Sequence, residues 1–173
     1  MTLRELRFGA LAEAFRLLPA RMESQLAELH LVAFTLQEDP QQRRRQWPTG
    51  PARGLWQFEL GSEQTRGGVW GIYMHPASRE HLRAVAAARG VPFEPEAIYK
   101  RLQHDDVLAA CCARLLMFTD PHQLPERGDV EGAWQLYLRT WRPGAHTTGT
   151  PGKRRELRQK FAVNYAASLE VVR

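Results

Sequence analysis

Cysteine is nearly absent from this sequence of 173 residues, which contains only Cys111 and Cys112. Two cysteines that are adjacent in the chain cannot join distant segments, and a disulfide between them would be strained. The sequence therefore excludes a disulfide-stapled fold, and it contains no Cys and His spacing typical of a zinc site. We expect both thiols to be small, semi-buried side chains on a helix, and we expect no metal or other cofactor.

Long apolar runs are also missing. Arg4, Glu5 and Arg7 interrupt the N-terminal segment, so it lacks the apolar core of a signal peptide. No stretch approaches the ~20 uncharged apolar residues that a transmembrane helix needs. We therefore expect no membrane span, and we expect synthesis in the cytoplasm without an export signal.

The composition is that of a soluble globular protein, with 43% hydrophobic and 25% charged residues. A chain of this length forms one domain by default. The net charge of +5 favours acidic polymers as partners, such as nucleic acid or an anionic cell wall.

Apolar residues recur mostly at helical spacing, which predicts a mainly α, single-domain fold of about six or seven helices. The predicted helices cover residues 3–18, 25–38, 76–89, 95–102, 107–118, 130–141 and 154–172. Glycines cluster near residues 55–73, which predicts at most a small β-hairpin or a glycine-rich loop there. Residues 143–153 are rich in Gly, Thr and Pro, which predicts a flexible loop.

The residues with the clearest chemistry lie between positions 36 and 59. Glu38 ends the predicted second helix after an apolar run. Cleavage of a glycosidic bond needs an acid with a raised pKa, and apolar surroundings raise it by desolvation. Glu38 is thus a candidate general acid, although the same position suits a solvated charge. Candidate second carboxylates, among which the sequence does not choose, are Glu59, Asp120 and Asp129.

Basic and aromatic residues surround this acid in the sequence. Arg43, Arg44 and Arg45 form either a solvated face or a basic contact surface for phosphate, carboxylate or acidic sugar groups. Aromatic rings stack on sugars and also fill cores. The five tryptophans are Trp47, Trp56, Trp70, Trp134 and Trp141. His30, on the same helix as Glu38, fits a packed histidine better than a ligand.

The order Gln37-Glu38, followed by Gly54-Leu55-Trp56-Gln57, resembles the lysozyme-like superfamily, especially goose-type lysozymes and soluble lytic transglycosylases. In that superfamily, a helix ends in a catalytic Glu, and a segment of the form G-A-x-G-L-M-Q follows about twenty residues later. The resemblance covers roughly residues 25–142 and implies a lysozyme-like core. Residues 154–173 are predicted from their own spacing to form a C-terminal amphipathic helix, with an apolar face of Leu157, Phe161, Tyr165 and Leu169. The resemblance assigns Glu38 as the general acid and Trp56, Gln57 and Tyr137 as substrate contacts.

The chain also resembles bacteriophage and prophage proteins that share the segments HPA, DDVLAA and WRPG. Together these resemblances imply a phage muramidase or lytic transglycosylase. Its substrate would be peptidoglycan, at the bond between N-acetylmuramic acid and N-acetylglucosamine, and it would be made in the host cytoplasm.

The alternative is a non-enzymatic virion protein, such as a head–tail connector or tail component, on a lysozyme-like scaffold. Arg43, Arg44 and Arg45 would then contact other virion proteins in a ring or tail assembly. Asp39 and Pro40 favour this alternative, because the superfamily usually has Ser directly after its Glu. A nucleic-acid-binding role would rest on charge alone, since no DNA-binding motif is present, and nucleic acid is not an expected partner.

Overall fold

A computed structural model describes residues 1–173 and contains helices, turns and loops but no β-sheet. Helices account for 61% of the chain, which confirms the predicted mainly α, single-domain fold. The helices are α1 Leu3–Leu6, α2 Ala12–Leu17, α3 Gln25–Glu38, α4 Gly68–Met74, α5 Arg79–Ala88, α6 Pro95–Arg101, α7 Asp106–Phe118, α8 Val130–Trp141, α9 Gly144–Thr147 and α10 Pro151–Val171. A π-helical turn, Arg7–Leu11, joins α1 to α2, and a 3-10 turn spans Ala20–Met22.

Capping side chains determine where three of the long helices begin. Ser24 caps α3, Asp105 caps α7 and Asp129 caps α8. In each case the side-chain oxygen accepts a hydrogen bond from the backbone amide three residues later, which satisfies one of the unpaired donors of the first turn. These helix starts therefore lie within one residue of their predicted positions.

The core is built around α3 and α7, which are buried over most of their length. The long helix α10 packs along α3. Cys111 and Cys112 are fully buried and unpaired on α7, and burial raises the pKa of Cys111 to about 12. His30 is also fully buried, and its Nε2 lies 3.1 Å from the Pro125 carbonyl oxygen. The interpretation of His30 as a packed histidine is thus confirmed.

A helix, α4, forms where the glycines predicted a small hairpin or an open loop. Val69 and Ile72 are fully buried, and the amides of Val69 and Trp70 donate to Glu59 and Leu60 at 3.0 and 3.1 Å. Only isolated bridges pair Arg53 with its neighbours in this region. Burial of one apolar face therefore outweighs the low helix propensity of Gly68 and Gly71 within α4.

The segment 143–153, predicted to be a flexible loop, contains α9 and the first turn of α10. Thr150 caps α10 by accepting from the Lys153 amide, and Pro151 occupies the first helical position. Proline suits that position because its missing N–H would have no partner there. None of the helices combines the length and hydrophobicity needed to cross a bilayer.

Candidate active site around Glu38

Glu38 is the last residue of α3, and Tyr137 donates a hydrogen bond to its Oε1. Glu38 is partly exposed as a residue, but its carboxylate is surrounded by protein. Desolvation is therefore the largest influence on its pKa. Desolvation raises the pKa of Glu38 from 4.5 to about 7, against the opposing effects of Tyr137 and Lys160. The charges of Asp39 and Glu59 add to the rise. A large fraction of Glu38 therefore carries a proton near neutral pH, as a general acid must.

Aromatic packing fixes the direction of the Tyr137 hydroxyl. The Tyr137 ring is buried, with ring centroids 5.4 Å from Phe34, 5.4 Å from Phe161 and 5.5 Å from Trp134. Burial raises the pKa of Tyr137, so its hydroxyl stays protonated and acts as a donor. The sequence predicted Tyr137 as an aromatic sugar contact; the structure buries its ring and brings its hydroxyl to the acid instead.

Removing the Tyr137 hydroxyl should raise the pKa of Glu38 above 7. The hydroxyl stabilises the charged carboxylate, so Tyr137→Phe favours the protonated form. The measurement is an NMR titration of ¹³C-labelled glutamate carboxyls. Tyr73→Phe is the matched control, because Tyr73 packs against Trp70 and Phe93 and should leave the Glu38 titration unchanged. An unchanged or lower pKa in Tyr137→Phe would contradict the assigned hydrogen bond.

Two polar residues of α10 bind the end of α3 beside Glu38. Lys160 Nζ donates to the Gln37 carbonyl at 2.8 Å. Asn164 Nδ2 donates to the Gln37 side chain at 2.8 Å and to the Leu36 carbonyl at 3.2 Å. They satisfy carbonyls that the last turn of a helix leaves unpaired. Sequence reasoning missed both residues, although they flank Phe161 on the predicted apolar face of the C-terminal helix.

The basic loop after Glu38 is held by acidic partners. Asp39 accepts hydrogen bonds from the amides of Arg43 and Arg44 at 2.9 and 2.7 Å, which turns the chain back at the end of α3. Arg44 forms a bidentate pair with Asp106 at 2.7 Å to each oxygen. Arg44 therefore has a structural partner and is not part of a free basic contact surface. Arg43 and Arg45 are exposed.

The segment Gly54 to Phe58 docks on α3 one to two turns before Glu38. Thr35 Oγ1 donates to the Leu55 carbonyl at 2.9 Å, and Trp56 Nε1 donates to the Leu31 carbonyl at 2.9 Å. Gly54 has φ +75°, and a Cβ there would lie 3.0 Å from the Leu102 carbonyl oxygen. Glycine is thus required for the close approach of this turn.

Trp56 does not present a stacking face to a ligand. Its side chain is 0% exposed, and its carbonyl accepts from Trp141 Nε1 at 3.0 Å. This corrects the sequence-based assignment of Trp56 as a substrate contact, since apolar packing on α3 turns its ring into the core. Gln57 is partly exposed, has φ +49° and donates its side-chain amide to the Gly54 carbonyl at 2.9 Å.

The three candidate second carboxylates have different surroundings. Asp120 has a side chain that is 3% exposed and pairs with both Arg139 and His122. Asp129 is the N-cap of α8. Glu59 is exposed, and its charge raises the pKa of Glu38. Glu59 is therefore the candidate of the three that is both open to solvent and electrostatically coupled to Glu38.

The structure thus brings together a proton-holding carboxyl, a tyrosine donor and a neighbouring cation. This combination can give a proton to a leaving oxygen and stabilise the carboxylate that remains. Comparison with protein-family models, curated proteins and solved structures finds no significant match to this chain.

Proposed function

We propose that this chain cleaves peptidoglycan as a phage muramidase or lytic transglycosylase, at the bond between N-acetylmuramic acid and N-acetylglucosamine. The observation that carries the proposal is Glu38, a desolvated carboxyl with a pKa of about 7 at the end of α3. No arginine pairs with it, so its proton is not displaced by a fixed ion pair. The substrate class rests on the resemblance of the Glu38 and Gly54–Gln57 segments to the lysozyme-like superfamily.

The two carboxyl oxygens of Glu38 have separate roles in this proposal. Oε1 accepts from Tyr137, which leaves Oε2 to hold the proton. Transfer of that proton to the glycosidic oxygen lets the bond to the sugar C1 break, and the developing positive charge stays on the sugar ring. The carboxylate that results is stabilised by the Tyr137 hydroxyl and by the charge of Lys160.

The second half of the reaction uses the same carboxylate as a base. Glu38 can take a proton from water, which gives hydrolysis, or from a hydroxyl of the sugar itself, which gives an anhydro end. A cationic ring beside Glu38 would be stabilised electrostatically by the exposed Glu59, whose charge also acts on Glu38. In both reactions Glu38 ends protonated again, because it gives one proton to the leaving group and recovers one from the attacking oxygen.

Product analysis tests this proposal directly. Purified protein is incubated with purified peptidoglycan, and the soluble fragments are identified by mass spectrometry. Fragments with reducing N-acetylmuramic acid ends indicate a muramidase, and fragments with anhydro ends indicate a transglycosylase. If intact protein releases no fragments and is instead found assembled in purified phage particles, the structural virion role is favoured and the enzymatic proposal fails.

A further inference from the structure

A second polar site lies between α4, α7 and α8. It is a pocket of about 350 Å³, and Glu38 is not among the residues that line it. This volume lies within the range of small-molecule sites. The charged and titratable residues that line this arginine pocket are Arg66, His75, Asp120, His122, Arg139 and Arg142.

The arginine pocket has one carboxylate in its lining, that of Asp120, and both of its oxygens already accept hydrogen bonds from neighbouring residues. The Asp120 side chain is 3% exposed, and its Oδ2 accepts from Arg139 at 2.8 to 2.9 Å. Its Oδ1 accepts from the His122 amide and lies 2.6 Å from His122 Nδ1. Arg66 and Arg142 pair with no carboxylate, so their charges are uncompensated within the pocket.

Arg66 and Arg142 also share an unusual backbone conformation. Their φ values are +48° and +47°, in the left-handed region that favours glycine. Arg142 follows the last turn of α8, where glycine is the commonest residue, and its Nη2 donates to the Arg66 carbonyl at 3.2 Å. Strained backbone held by its surroundings concentrates at functional sites. Arg66 and Arg142 are thus held next to each other in the lining of one pocket.

We propose that the arginine pocket binds an oxyanion, a carboxylate or phosphate group of a small ligand, between the guanidinium groups of Arg66 and Arg142. The guanidinium fork matches the oxygens of either group in a bidentate manner. Arg139 is paired with Asp120, so the net positive charge of the pocket comes from Arg66 and Arg142. The site does not depend on the chemistry of Glu38, so it can exist whether or not the chain cleaves peptidoglycan.

Replacing Arg142 with glycine tests this site without endangering the fold. Arg142→Gly removes one guanidinium group and places the residue that prefers a left-handed conformation at that position. Isothermal titration at low salt would use inorganic phosphate and N-acetylmuramic acid as anionic probes, and N-acetylglucosamine as the neutral control. We expect an anionic probe to bind wild type, its Kd to rise at least tenfold in Arg142→Gly, and the melting temperature to be equal or higher.

Arg16→Gln is the matched charge control, because Arg16 is exposed outside the pocket and the substitution also removes one positive charge. Binding of phosphate alone identifies a phosphorylated ligand, and binding of N-acetylmuramic acid alone identifies a carboxylated one. The proposal is overturned if neither anion binds, if N-acetylglucosamine binds as well as the anions, or if Arg16→Gln weakens binding as much as Arg142→Gly. Glu38→Gln should bind the anions normally, which separates failure of this site from failure of the proposed enzyme.

Discussion

Glu38→Gln should lower the rate of peptidoglycan cleavage by about 10²- to 10⁴-fold, the usual contribution of a general acid. Glutamine has nearly the same shape and can still accept the hydrogen bond of Tyr137, but it cannot transfer a carboxyl proton to the leaving oxygen. The rate is measured as release of soluble fragments from purified peptidoglycan.

The same substitution should change how stability depends on pH. The folded-state pKa of Glu38 is raised to about 7 from 4.5, so the folded protein binds more protons than the unfolded chain between these values. The wild-type free energy of unfolding should therefore fall as pH rises through this window, by at most about 3 kcal/mol from this group. The Glu38→Gln variant has no carboxyl to titrate at this position, so its free energy of unfolding should not fall in this way. Urea unfolding should show the variant to be more stable than wild type at pH 8 but not at pH 4.

Glu63→Gln is the matched control for both measurements. Glu63 is exposed, so its replacement should leave cleavage and the pH dependence of stability unchanged. Equal cleavage by wild type and Glu38→Gln would remove Glu38 from the reaction. A stability curve that is identical in wild type and Glu38→Gln would show instead that the carboxyl is not desolvated.

The position of Glu38 at the end of a buried helix could be predicted from local sequence. Ser24 caps α3 and Pro40 prevents its extension, so the helix covers the predicted residues 25–38. Signals of this kind act within a few residues and are readable in one sequence. Helix α4 could not be predicted in this way, because its stability comes from burial of Val69 and Ile72 by distant segments.

The residues that surround Glu38 are harder to predict from the sequence than Glu38 itself. The spacing of Glu38 and Gln57 does not show which way Trp56 points, since that depends on the hydrogen bond from its indole to the Leu31 carbonyl. Lys160 reaches Gln37 across 123 positions of sequence, a contact that no local pattern encodes. The sequence alone places Arg44 in a basic cluster, and only the structure shows that it forms an ion pair with Asp106.

Trp56→Ala should destabilise the fold by about 3 to 5 kcal/mol, the usual cost of removing a large buried aromatic side chain. The ring is 0% exposed, and its indole N–H donates to Leu31 at 2.9 Å, so the substitution leaves both a cavity and a lost hydrogen bond. For a domain of this size, each kcal/mol lowers the melting temperature by roughly 2 to 4 °C. Urea and thermal unfolding measure the effect.

Trp47→Ala makes the same chemical change on the surface and is therefore the matched control. Trp47 is 72% exposed, with the Arg43 guanidinium 4.5 Å from its ring centre, so its replacement should change stability by no more than about 0.5 kcal/mol. If Trp56→Ala kept wild-type stability but lost saccharide binding, Trp56 would be a substrate contact, as the sequence predicted. A large loss of stability in Trp56→Ala alone places its ring in the core, and aromatic stacking with a sugar must then come from a different, accessible ring.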